Sequence, residues 1–258
     1  MYRILVLLFI GLAGALTHES SARSATSRAL QDAQSTEIRQ LITDLANSDA
    51  KVSEKAKTRL EEIGVPALDL LQETHGTATS EATTRVASLI RAIRTKSGLP
   101  SWVNGMEFKL IVDKEWIVPS MGKESKCAIQ LQITNTMSSA YRLHLADSLK
   151  VTLKDAAGRE TLRFNGYQRD TRTATFSEPL SRNQKFTIVV NGRLSWSKKG
   201  KLSLSCTDMF SATWIGPDLE KAAYEMTLSF ENKRTAHDEL EPVWIGAVET
   251  LPAMIVLK

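Results

Sequence analysis

The sequence predicts a multidomain protein of the α plus all-β class: a small four-helix module followed by an antiparallel β-sandwich. Two observations carry this. Between Ile38 and Ile93 apolar residues recur at helical spacing. From about Met106 onward they alternate with a period of two, as in Tyr224, Met226, Leu228 and Phe230, with Glu225, Thr227 and Ser229 between them. Successive side chains of a strand point to opposite faces, so this alternation is that of a half-buried strand. No long helical pattern separates the strands, which argues against a parallel α/β sheet.

The chain has 258 residues, room for two modest domains or one large sandwich. Its 42% apolar and 24% charged content is that of a globular protein, so global disorder is excluded. The net charge of +4 comes from scattered Lys and Arg, without the clustered basic face and interleaved aromatics of a nucleic-acid groove. The densest basic run, Lys198-Lys199-Gly200-Lys201, reads as a turn between strands.

Arg3, the apolar run from Ile4 to Leu16, and the small residues Ala13-Gly14-Ala15 and Ser20-Ser21-Ala22 form the layout of a secretory signal peptide over residues 1–22. Cleavage is expected after Ala15 or Ala22. The run is shorter than the roughly 20 residues of a membrane span, and an uncleaved anchor is the alternative. The protein is therefore expected to be exported, periplasmic or extracellular, with no stable span after cleavage. Residues 23–35, rich in Ser, Ala and Thr, read as a flexible tether.

The helical module is expected over 36–97. Ile38, Leu41, Ile42 and Leu45 make the first stripe, and Val52, Ala56, Leu60 and Ile63 the second, with Ser48 or Asp49 as its cap and Gly64 beyond its end. Pro66 suits the first turn of a third helix bearing Leu68 and Leu71. A fourth opens at Ser80, carries Val86, Leu89, Ile90 and Ile93, and stops at Gly98 and Pro100. An offset of 30 superposes Ile38 on Leu68, Leu41 on Leu71, Val52 on Ala82, Ala56 on Val86, Leu60 on Ile90 and Ile63 on Ile93. With the Gly turn and Pro-led helix of Ala56–Leu68, the segment resembles HEAT-like repeats, although its period is shorter. Residues 98–105 read as a linker.

The β region is expected over 106–258. Strands are read at Glu107–Val112, around Cys127–Ile133, at Leu149–Leu153 before the Asp155–Gly158 turn, and at Leu202–Cys206. Phe186–Val190 and Leu194–Trp196 read as two strands joined by an Asn191-Gly192 hairpin turn. Trp214 follows a corner, and Trp244–Val256 reads as the final strand. Strand count, length and the placement of Tyr224 make this region similar to the immunoglobulin-like sandwiches of bacterial exported proteins.

The residues offer little local chemistry. His18, His75, His144 and His237 are isolated, and neither His-Glu-x-x-His nor Cys-x-x-Cys occurs. His237-Asp-Glu-Leu-Glu241 reads as a solvated loop rather than a cation site. Ser120-Met-Gly-Lys123 and Ser195-Trp-Ser-Lys198 match a Ser-x-x-Lys pattern but stand in strand-and-turn context. Trp102, Trp116, Trp196, Trp214 and Trp244 read as core fillers, with a sugar-stacking platform as the alternative. No catalytic, cofactor-binding or metal residue is assigned, and no cofactor is expected.

Cys127 and Cys206 are in phase with buried neighbours and should both point inward. Two readings stand: a structural disulfide, which the resemblance implies as an inter-sheet bridge, or two buried thiols. The leading functional expectation is a non-catalytic exported binding module with a protein partner. The alternatives are a carbohydrate-binding domain, a secreted protease inhibitor and a hydrolase.

Overall fold

A computed structural model describes residues 31–75, 80–145, 148–167, 177–232 and 242–258. The expected signal peptide, His18, most of the tether and the His237–Glu241 loop lie outside these. The chain divides into two compact units at Leu89/Ile90, within the fourth helix.

Helix α1 covers residues 31–45 and already includes the end of the segment read as tether. It buries Ile38, Ile42 and Leu45. Asp49 caps α2 (Ala50–Ile63), its carboxylate accepting from the Lys51 amide at 2.8 Å. Gly64 (φ 70°) ends α2, and Val65–Ala67 forms a 3-10 turn with Pro66 before α3 (Leu68–His75). Helix α4 runs Ser80–Lys96. Arg85 of α4 donates to the carbonyls of Leu45 and Asn47 and to Ser53 Oγ at 3.1–3.2 Å, satisfying helix-end groups at the α1–α2 corner. Of the six pairs related by the 30-residue offset, Ile38/Leu68, Ala56/Val86 and Leu60/Ile90 are buried at both members and Val52/Ala82 half-buried at both, whereas Leu71 and Ile93 are buried and their mates Leu41 and Ile63 only half-buried. Among the described residues no helix is long and apolar enough to cross a membrane.

The second unit is mostly antiparallel β-structure in two sheets. The larger has the order β1-β2-β4-β7-β8-β9-β6. These strands are β1 (Ser101–Val103), β2 (Met106–Val112), β4 (Glu124–Asn135), β6 (Arg163–Tyr167), β7 (Lys185–Trp196), β8 (Leu202–Asp208) and β9 (Ala212–Leu219). In the smaller, β10 (Ala223–Asn232) pairs on one side with β5 (Leu149–Lys154). On its other side lie β11 (Gly246–Glu249) and β12 (Ala253–Leu257) in succession, and β12 runs parallel to β3 (Glu115–Trp116). Inner faces of both sheets build one hydrophobic cluster, including Ile129, Leu131, Leu204, Met226, Leu228 and Phe230.

Three expectations change. The 98–105 segment carries β1 and a two-residue turn, Asn104 (φ 46°) and Gly105 (φ 79°), joining it to β2. Asn191-Gly192 is not a turn but the middle of the continuous strand β7. Gly is needed there for space: a Cβ on Gly192 would sit 3.0 Å from the Cys127 carbonyl oxygen. The expected final strand is broken into β11 and β12 around Pro252, which has no N–H to give a ladder.

Candidate functional site

The site arises where the chain changes sheets. After β5, Asp155 folds a turn by accepting from the amides of Ala157 and Arg159, each at 2.9 Å. The Arg159 amide, then its guanidinium, holds the Asp155 carboxyl below the usual carboxylate range. The chain then returns alongside β5, the Thr161 amide donating to the Leu153 carbonyl at 2.7 Å. It buries Leu162 and enters the larger sheet as β6, the outermost strand in that sheet's order. A cleft of about 470 Å³ lies beside it.

Leu149 and Val151 of β5 form one wall of the cleft, and Phe164 with Trp214 the other. Register explains the second wall. Cys206 pairs with Trp214, and Trp214 with Phe164, so all three share the inner face of the larger sheet. Trp214 is 3% exposed, whereas Phe164, on the outermost strand, is 55% exposed. Their rings meet edge to face with centroids 5.9 Å apart, an arrangement that aligns the positive edge of one with the negative face of the other. The rim is charged. Lys150 and Glu160 pair at 3.4 Å, and Asp208 is occupied by the amides of Phe210 and Ala212 at 2.9 and 2.8 Å. Arg163 is exposed and has no carboxylate within ion-pair distance among the described residues. It also lines a neighbouring, more polar hollow of about 510 Å³ with Asp155, Asp218 and Tyr224. The arrangement can seat an apolar group beside an anionic one.

Cys127 and Cys206 are brought to the same face but not bonded; both are buried free thiols. The inter-sheet bridge is therefore corrected. Both cysteines belong to the larger sheet, on β4 and β8, each paired with Gly192 of β7 between them. Two strand spacings separate their Cα atoms by roughly 10 Å, beyond the roughly 7 Å that a disulfide spans. Burial pushes each thiol up to about 12.

Of the tryptophans, 102, 116, 214 and 244 are buried, and Trp196 is half-buried with its Nε1 donating to the Pro119 carbonyl at 2.6 Å. The two Ser-x-x-Lys matches fall in a turn and at a strand end, as their context indicated. Among the described residues no cluster of three or more His, Cys, Asp or Glu could hold a metal ion. Sequence reasoning missed Arg163 and Phe164. The available signal was Asn165-Gly166 directly after Phe164, where Gly166 (φ 101°) accompanies a register shift in β6. No protein-family model matches the chain, and no curated protein matches it.

Proposed function

We propose that the chain is a non-catalytic, exported binding module that engages a protein partner through the cleft between β5 and β6. The observation that carries this reading is the juxtaposition of an exposed Phe164 with an apolar opening rimmed by charge. An aromatic ring at the mouth of an apolar pocket is what a contact hot spot needs, because burying it on binding removes a large apolar area from water. Two features support the finer architecture. Matched burial at four of the six pairs of the 30-residue offset favours HEAT-like helical pairs. The Tyr224 hydroxyl donates to the Glu220 carbonyl at 3.1 Å and accepts from its amide at 2.9 Å, a local tie like the tyrosine corner of immunoglobulin-like sandwiches. Export rests on the signal-like residues 1–22.

Phe164 also favours a second reading, a sugar-binding domain, since an exposed ring can stack on a pyranose face. Trp214 touches Phe164 and serves as a built-in reporter. Its emission should change when a displayed-peptide selection yields a ligand, and the change should disappear in Phe164→Ala. A response to a polysaccharide panel instead would shift the reading to carbohydrate. Silence toward both would overturn the binding assignment.

A further inference from the structure

We infer that Asn165 is a site of self-modification, its side-chain amide lost through a cyclic imide to leave aspartate or isoaspartate in β6. The chemistry needs only the chain and water. The Gly166 nitrogen loses its proton to water and attacks Asn165 Cγ. The Cγ–Nδ2 bond breaks, and that nitrogen takes up a proton and departs as ammonia. Water then opens the imide at one of its two carbonyls. Opening at the side-chain carbonyl leaves aspartate. Opening at the main-chain carbonyl leaves isoaspartate, with the backbone running through the side chain. One water is consumed and one ammonia released, and nothing is oxidised or reduced.

Glycine after asparagine lets the ring close, because no Cβ shields the attacking nitrogen. The chain has three such pairs, and the fold holds two of them shut. Asn191 pairs with Ala128 on one side and Thr207 on the other, and Gly192 with Cys127 and Cys206. Ring closure needs the backbone to turn out of the extended conformation, which two ladders at once oppose. Asn104 is tied at both ends of the reacting unit. Its Nδ2 donates to the Ile245 carbonyl at 2.9 Å, and its own carbonyl accepts from Trp244 Nε1 at 3.1 Å. A Cβ on Gly105 would collide with Met137, so this turn is also crowded. Asn165 has none of these restraints. β6 is the outermost strand of its sheet, so only β9 holds it within the sheet. Across that pair the register slips: Phe164 faces Trp214 and Gly166 faces Thr213, which leaves Asn165 opposite no residue. The residue is exposed, and its side chain makes no hydrogen bond among the described residues. A Cβ built on Gly166 would meet nothing within 4 Å, so the imide and the attacking water have room. The product adds a carboxylate to the strand that carries Arg163 and Phe164 to the cleft.

The test incubates the full chain in warm, mildly alkaline buffer and follows each Asn-Gly peptide by mass spectrometry. A hydrogen bond that must first open slows closure, so Asn165 should convert at least about tenfold faster than Asn104 and Asn191. In concentrated urea, where no fold remains, the three rates should draw together. Early ammonia release from the native protein should vanish in Asn165→Gln, whose longer side chain closes the ring slowly. Asn165 is exposed, so that variant should keep the wild-type melting temperature, which is measured alongside. Native Asn165 converting no faster than either other pair would overturn the assignment. A lead that persists unchanged in urea would overturn it too, since the neighbouring sequence and not the fold would then set the rate.

Discussion

Cys127 and Cys206 sit on either side of Gly192, one on each neighbouring strand, with no side chain between them. The row continues through Trp214 to Phe164, so one line of residues crosses the inner face of the larger sheet from thiol to cleft. The glycine leaves that position without a side chain, and burial keeps both thiols protonated.

Thiol chemistry should follow from this. Denatured, unreduced protein should titrate two thiols per chain, and the native protein should resist alkylation near pH 8. Because each folded pKa, about 12, lies above the ordinary thiol value of 9.0, the unfolded state loses protons first as pH rises. Stability is therefore fully present below pH 9 and falls between about 9 and 12. In chemical denaturation, Cys206→Ala should flatten that alkaline decline. An unchanged slope would show that the thiols do not contribute to it.

Gly192→Ala should destabilise the fold by about 1–3 kcal/mol, as overpacking does in a dense core. Its Cβ would stand 3.0 Å from the Cys127 carbonyl oxygen and 3.1 Å from the Cys127 Cβ. Combining it with Cys127→Ala should recover little, because the tighter contact is with backbone. The urea midpoint measures both.

Arg94 is 6% exposed and donates to Glu107 at 2.5 Å and to the Pro100 carbonyl at 2.7 Å, fastening the end of α4 to the first hairpin. Glu107→Ala should cost about 2 kcal/mol, since it leaves a cation in a mostly dry place with only a carbonyl as company. The Glu107 side chain keeps 29% exposure, which holds the loss below that of a fully buried pair. The double variant Arg94→Met, Glu107→Leu should be closer to wild type than either single change, as a double-mutant cycle in urea would read out.

Leu60 is fully buried in α2. Leu60→Asp places an unpaired carboxylate among apolar side chains at several kcal/mol, on the order of a small unit's whole stability. Helical circular dichroism should fall, while Trp244 fluorescence keeps a cooperative transition. One transition lost entirely would mean that the two units fold as one.

The three Asn-Gly pairs show where sequence reasoning succeeds and where it stops. Asn104-Gly105 is a tight hairpin turn, Asn165-Gly166 accompanies an irregularity, and Asn191-Gly192 lies in mid-strand. All three look alike locally, because both residue types tolerate positive φ. What separates them is tertiary: Gly192 answers to the carbonyl of a residue 65 positions away. Helix ends were readable for the opposite reason. Asp49, Gly64, Pro66 and Gly98 act within a turn of themselves. The inward phase of both cysteines was equally local, but which sheet each joins depends on strand order, and that removed the bridge. The cleft stayed hidden because a chain crossing between sheets has no periodic signature.

The parallel pairing of β3 with β12 has a consequence for the order in which the molecule assembles. Glu115 meets Val256, and the Val118 amide donates to the Lys258 carbonyl at 2.8 Å. Ser101 likewise reaches the Glu249 carbonyl across 148 positions. Loop closure over such distances must precede any reward from the contacts, which slows folding. During synthesis β3 has no strand to join until residues 256–257 have emerged, so the smaller sheet closes last. Until then the inner faces of both sheets stay exposed to solvent and to other chains.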